Sequence, residues 1–238
     1  MIHIGKKKSQ EYKGLLIKAD LQLHEQIAEK LNILLKRNSK ILDFGAGEGA
    51  LTYRLADMGY EVIAVDKDQD SYKCKKAKFY KLDFDSQEEV ENFVLNHQSE
   101  FDAVLGVEVI EHVHDQWRYI EHLLLMLKPG GIILVTTPNI TSWLSRVMFF
   151  LKGRFHQFED EDLEYGHINP ITSWQIELIM KQSNLENINI EKAGVLPAIY
   201  LTGLNRVSLL SILLLPFRLF MKGRIDGWCI MATGRKPE

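Results

Sequence analysis

The residues best placed to do chemistry fall into four groups. The first is Asp43-Phe44-Gly45-Ala46-Gly47-Glu48-Gly49, a glycine-rich loop between an apolar run and a helical pattern. Glycines there let the chain turn tightly and bring backbone N–H groups close to a ligand. A dinucleotide loop would read GxGxxG, with the pyrophosphate on the helix N-terminus. Here the third glycine comes one residue early, and a carboxylate, Asp43, stands two residues before the first. That acid repels a diphosphate and suits a ligand carrying an ammonium group. The second group is Asp66-Lys67, where Asp66 closes the next apolar run and can accept both hydroxyls of a ribose. The third is Asp83-Phe84, after a further run. The fourth is Glu108-Val109-Ile110-Glu111-His112, directly after Val107, joined by His167 in Gly166-His167-Ile168-Asn169-Pro170. Two chemistries compete there. His112 can act as a general base in a metal-free site, or the carboxylates and imidazoles can hold a divalent cation that acidifies an acceptor hydroxyl.

The elements that must position these groups follow from hydrophobic period. Residues 21–36 place Leu21, Ile27, Leu31, Leu34 and Leu35 at helical spacing. Short β-branched runs at 40–44, 61–66, 77–83, 101–107 and 131–137 predict buried strands. Helices are expected near 49–58, 68–76, 86–97 and 114–127, and Lys128-Pro129-Gly130-Gly131 predicts a turn. Strand and helix in alternation predict a parallel sheet covered on both faces, with ligands at the carboxyl ends of the strands. If a helix opens at Glu108, then Glu108, Glu111 and His112 share one face. After Pro138 the rhythm changes. Residues 139–170 read as an insertion carrying an acidic patch at 159–164. A helix at 171–183, a strand at 186–194, a very apolar stretch at 195–224 and a last strand near 226–234 follow. The whole chain, 1–238, is expected to form one domain.

S-adenosylmethionine fits a ligand with a ribose and a cationic amino group and no required diphosphate. The motifs resemble those of the class I S-adenosylmethionine-dependent methyltransferases over roughly residues 20–194 and the last strand. The resemblance implies a Rossmann-like α/β fold with a seven-stranded, mostly parallel sheet whose last strand is antiparallel. It also implies roles. The loop Asp43 to Gly49, with Ala46, would hold the methionine part and Asp66 the ribose, with Lys67 beside it. Asp83 would meet the adenine amino group, next to the Phe84 backbone, and Val107 and Glu108 would line the pocket. ExxEH followed by Thr137-Pro138-Asn139 and a late histidine is similar to RNA 3′-end 2′-O-methyltransferases, which use two Glu and two His as metal ligands. The matching residues are Glu108, Glu111, His112 and His167. Ubiquinone-biosynthesis O-methyltransferases carry a similar ExxEH, and GHINP is similar to methyltransferases of bacterial surface-polysaccharide systems. The favoured reading is an O-methyltransferase for a small or lipid-linked hydroxylated acceptor, with His112 and Glu111 catalytic. A metal-dependent RNA methyltransferase and a non-catalytic cofactor-binding subunit are the alternatives. Mixed oxygen and nitrogen ligands suit Mn²⁺, Fe²⁺ or Zn²⁺ better than Mg²⁺.

Composition narrows the classes. The net charge of −3 over 238 residues gives no basic track, so nucleic acid is not an expected partner. Cys74 and Cys229 form neither a disulfide framework nor a thiolate metal motif. No secretory signal and no transmembrane run is read, so a cytoplasmic protein is expected, at most peripheral to the inner face of the membrane. Two segments, 141–155 and 195–224, combine apolar residues with three and four basic ones respectively and no acid. Their composition fits a membrane surface, a homodimer interface or extra core, and the resemblance implies that segments in these places build the acceptor site, which would make them an apolar lid there.

Overall fold

The computed structural model describes residues 2–4, 9–201, 203, 205–217, 220 and 225–238. Its chain order is β1 (Ile2–Ile4), β2 (Gln10–Tyr12), β3 (Leu15–Ile17), α1 (Leu23–Leu34), β4 (Lys40–Phe44), α2 (Ala50–Asp57), β5 (Glu61–Asp66) and β6 (Lys78–Lys81). Then come α3 (Gln87–Asn96), β7 (Phe101–Val107), α4 (Gln116–Met126), β8 (Leu127–Pro138), α5 (Trp143–Lys152) and α6 (Asp160–Glu164). The remainder is α7 (Ser173–Gln182), β9 (Glu186–Ala193), β10 (Ile199–Leu201), α8 (Arg206–Leu213) and β11 (Cys229–Arg235). Seven strands form one sheet in the order β6-β5-β4-β7-β8-β11-β9, and β11 alone runs antiparallel to its neighbours.

The two-residue period of the strands builds two cores. Leu42, Val104 and Ile133 point to the face covered by α3, α4 and α7, while Ile41, Leu105 and Leu134 point to the face covered by α1, α2, α5 and α8. Strands buried on both faces read as continuous apolar runs, which is why their limits are plain in the sequence. The order reverses between β4 and β7, so the loops after β4, β5, β6 and β7 gather at one sheet edge, where ligands bind in open α/β sheets.

Several expectations need correction. No helix forms over 68–76. The Asp68 carboxylate accepts the Ser71 N–H at 3.1 Å and the Ser71 hydroxyl donates to the Asp68 carbonyl, so one closed turn satisfies the groups a helix would use. The stretch 108–114 is a series of turns, and Glu108, Glu111 and His112 therefore do not share a helix face. The helix waits for a better N-cap: Asp115 accepts from the N–H groups of Trp117 and Arg118, both at 3.0 Å. His114 accordingly precedes α4 and only His122 lies in it. β8 starts before the KPGG turn, which becomes an irregularity inside the strand with Gly130 at φ +73°. The β2–β3 hairpin, turning on Lys13 and Gly14 at positive φ, and the parallel β1–β10 pair were not legible. The segment 195–224 contains β10, α8 and a short 3₁₀ turn at Leu215–Phe217; within it, residues 202, 204, 218, 219 and 221–224 lie outside the described residues.

Candidate functional site

The glycine loop leaves β4 and doubles back over β5. Gly45 and Ala46 donate to the Val65 carbonyl at 2.8 and 3.0 Å, and Gly47 donates to Asp66 Oδ2 at 2.7 Å. Gly45 sits at φ +98°, and a Cβ there would overlap Cγ2 of Val109. Gly47, at φ +56°, has nothing within 4 Å of where a Cβ would stand. The loop thus presents bare backbone to open space, as a cradle for a ligand requires. Gly49 ends it as the N-cap of α2.

The two acids of this region divide their work. Asp66 is half-exposed, accepting from Gly47 on one oxygen and from the Asp68 N–H at 3.1 Å on the other. Asp43 is 1 % exposed and accepts from Thr52 Oγ1 at 2.6 Å, so it ties the end of β4 to α2 beneath the loop. Burial, reinforced by the charge of Asp66, pushes its carboxyl up to about 6 against the pull of the Thr52 hydrogen bonds. Asp83 is exposed and accepts from the Asp85 N–H at 3.0 Å, shaping its own turn. Phe84 turns inward onto Phe44, ring centroids 4.7 Å apart.

A cavity of about 460 Å³ opens beside these residues. Lys67, Phe84 and Val109 line one part; His112, Tyr165 and Ile168 line another. The fourth group of candidate residues stands at that second part. The GHINP turn is stitched onto the residues after β7: Ile168 and Asn169 donate backbone N–H groups to the Glu111 carbonyl at 3.2 and 3.0 Å, and Asn169 Nδ2 donates to the Val113 carbonyl at 2.6 Å. Gln116 Nε2 closes the arrangement by donating to the Asn169 carbonyl at 3.0 Å. The His112 and His167 rings meet edge to face, 4.8 Å between centroids. His167 Nδ1 lies 2.6 Å from the Gln157 carbonyl, which fixes that nitrogen as the donor and leaves Nε2 with its lone pair.

Behind the histidines lies Glu111, 0 % exposed, with neither carboxylate oxygen at hydrogen-bonding geometry to a protein group. Its Oε1 is 3.9 Å from His112 Nε2. Burial, then the charge of Glu108, holds its carboxyl well above the usual range, offset only in part by its own backbone and the nearby Thr137 hydroxyl. Burial, then His167 and Lys67, brings His112 down to about 4. Ligand atoms of Glu111, His112 and His167 lie within 4.8 Å of one another. Glu108 is not in that group. It holds φ +55°, its N–H donates to Thr136 O and Oγ1 at 3.2 and 3.1 Å, and its carboxylate accepts from Thr136 Oγ1 at 2.8 Å and the Cys229 thiol at 3.4 Å. Val107, half-buried, packs on the opposite core.

Sequence reasoning missed Val109 under the loop, Tyr119 and Arg118 at the cavity wall, and Tyr165 at its rim. One signal was available. Gly106 interrupts an apolar strand, and a Cβ there would overlap the Tyr119 hydroxyl.

Comparison with known proteins bears on the site. A family model described as a methyltransferase domain matches residues 19–190. Ubiquinone biosynthesis O-methyltransferase of Bartonella tribocorum is 37% identical over 106 residues, covering 44% of this chain and 43% of that protein. The mitochondrial Homo sapiens protein of the same name is 38% identical over 108 residues, covering 43% of this chain and 29% of its own length. The Yersinia pestis protein is 31% identical over 137 residues, covering 53% and 56%. The chain thus spans about half or less of the length of the curated relatives it matches. A SAM-dependent methyltransferase from Archaeoglobus fulgidus superposes with TM-score 0.61 at 18% identity, over 90% of this chain and 94% of that one. Haemonchus contortus phosphoethanolamine N-methyltransferase 2, solved with S-adenosyl-L-methionine, gives 0.58 at 15% identity, over 93% and 54%. At these identities the solved structures show a shared fold.

Proposed function

Since the chain belongs to the family of S-adenosylmethionine-dependent methyltransferase domains, we propose that it moves a methyl group onto a hydroxyl of a small or lipid-linked acceptor. S-adenosylmethionine, held by the glycine loop, Asp66, Lys67 and Phe84, would supply the electrophilic methyl. The observation that carries the oxygen acceptor is the trio of Glu111, His112 and His167, of which His112 lines the cavity and Glu111 lies buried behind it. Methyl transfer is an in-line displacement, so the protein must align the acceptor and take its proton. His112, uncharged at neutral pH, is the group that can receive that proton from the cavity side. Glu111 stands behind it as a buried carboxyl able to stabilise the imidazolium. The relatives named as O-methyltransferases support the same acceptor atom. The test is to incubate the protein with radiolabelled cofactor and a panel of phenolic, glycan and lipid-linked hydroxyl compounds, then locate the label by mass spectrometry. A methyl ether is expected; label found only on nitrogen or carbon overturns the reading.

A divalent cation at the same trio is a second reading, favoured by one observation: a fully buried carboxylate without a hydrogen-bond partner. A cation between Glu111, His112 and His167 would supply that partner and acidify a bound hydroxyl. Three such ligands suit Mn²⁺ or Zn²⁺ better than Mg²⁺. Protein dialysed against EDTA should lose activity and regain it with one of these ions. Full activity without bound metal by elemental analysis overturns this reading. The RNA and non-catalytic alternatives gain no support: acidic α6 lies in the chain just before His167, where a polyanion would be repelled, and His112 opens onto the cavity.

A further inference from the structure

The helix α8 packs Val207, Leu210 and Leu214 against the core and leaves a second apolar face uncovered. Ser208 and Ser211 face the core, the latter 0 % exposed, while Leu209 (61 % exposed), Ile212 and Leu213 (58 %) face outward. The inward serines are not misplaced. Ser211 Oγ accepts from the Tyr200 N–H at 3.3 Å and lies 2.8 Å from the Ser208 carbonyl, so polar bonds tie α8 to β10 with Leu209, Ile212 and Leu213 turned outward. Beside it α5 exposes Phe149 and Phe150, and Phe217 and Phe220 lie exposed beyond α8. A water-facing helix normally shows a polar outer face.

We propose that the outer face of α8, together with Phe149 and Phe150 of α5, docks on an anionic lipid surface. Charge decides the occupant. Arg206 opens α8 and Arg146 is exposed on α5. The sequence from 195 to 224 contains no acid and adds basic residues at 218, 222 and 224. A plane of lipid phosphates meets Arg206 and Arg146 favourably, whereas a second copy related by a twofold axis would set these arginines against themselves. Basic residues flanking exposed leucine and phenylalanine side chains fit a segment lying in the interface. Among the described residues no helix is long and apolar enough to cross a membrane, so the contact is a surface one. The chain leaving α5 runs back to the trio: Phe158 packs 5.5 Å from the His167 ring and Gln157 holds its Nδ1. The proposal does not depend on which acceptor is methylated.

Co-sedimentation of the whole protein with vesicles tests it. Vesicles of phosphatidylcholine with about one third phosphatidylglycerol should carry the protein down, and pure phosphatidylcholine should do so at least about tenfold less well. Leu209→Asp with Leu213→Asp, both exposed, should abolish binding while leaving the melting temperature and the calorimetric affinity for S-adenosylmethionine unchanged. Arg206→Glu is the independent variant and should weaken binding without touching the apolar face. No vesicle binding, equal binding to both lipids, or binding indifferent to both variants overturns the proposal. So does light scattering that shows a dimer which the leucine variants dissociate, without any lipid effect. Vesicle binding needs neither cofactor nor turnover, so its failure is distinct from failure of the methyl-transfer reading.

Discussion

Replacing Asp43 by Asn tests whether the carboxylate beneath the glycine loop is a buried strain on the ligand-free fold. The carboxyl titrates near 3.8 when unfolded and at about 6 in the folded chain, chiefly through burial. The folded state therefore binds this proton more tightly. Well below the unfolded value of 3.8 the group is protonated in both states and costs nothing; between there and about 6 the unfolded chain releases the proton while the folded one keeps it, so stability is lost across that window and levels off above it. A rise of about two in pKa, at about 1.4 kcal/mol for each, puts that loss near 3 kcal/mol above about pH 7. Asn keeps an oxygen to accept from Thr52 Oγ1, now at 2.6 Å from Asp43, and never ionises. The difference in urea-unfolding free energy between Asp43→Asn and the native chain should thus grow by about 3 kcal/mol, in favour of the variant, from about pH 4 to pH 7.5. Taking the difference cancels the other titrating groups. A gap that stays constant over that range refutes the argument, because it would mean the carboxylate is solvated.

Three further outcomes follow from the site. Asp66→Ala removes the acceptor of the Gly47 N–H and of a ribose hydroxyl, and a lost charge-assisted hydrogen bond of about 1.5–3 kcal/mol should weaken calorimetric S-adenosylmethionine binding by about 10- to 150-fold; unchanged affinity would exclude the ribose role. Gly45→Ala meets both positive φ and Val109, and should lower stability by about 1–3 kcal/mol, with Val109→Ala in the same chain restoring part of it; a melting temperature unmoved by the single change would contradict the loop geometry. Glu111→Gln leaves a buried amide of the same shape, so the fold should persist by circular dichroism while methyl transfer falls about 10²-fold or more; retained turnover would make Glu111 structural only.

The fold was legible where two periods agree with burial. Strands such as KILDF and EVIAVD have continuous apolar centres bounded by charged residues because helices cover both faces, so their limits could be read to the residue. The stretch 68–76 failed for a local reason: its spacing admitted a helix, but Asp68 and Ser71 satisfy one another's backbone first. The same competition moved the start of α4 from the ExxEH residues to Asp115. The glycine loop and Asp66 were legible from residue type, glycines for positive φ and an acid ending the next strand, although the bonds that fix the loop come from Val65 and Asp66 of that strand. The neighbours of Glu108 were not, because Thr136 and Cys229 reach it from strands 28 and 121 residues away.

That long-range capture explains why the two glutamates of one short motif end in different states. Glu108 accepts from Thr136 of β8 and Cys229 of β11, and its carboxylate raises the pKa of Glu111. Glu111 is pressed into place by its own carbonyl, which holds the GHINP turn through Ile168 and Asn169. Its side chain then lies inward, where the Thr137 hydroxyl is the nearby donor and only in part offsets the burial. A structural acid would find a cap, an arginine or water at modest cost. This one is held by backbone bonds on one side, with the Glu108 carboxylate on the other, against two imidazoles of which His167 is oriented by the Gln157 carbonyl. Such an arrangement weakens the fold and has a physical use only if something arriving from the cavity, a proton or a cation, completes it.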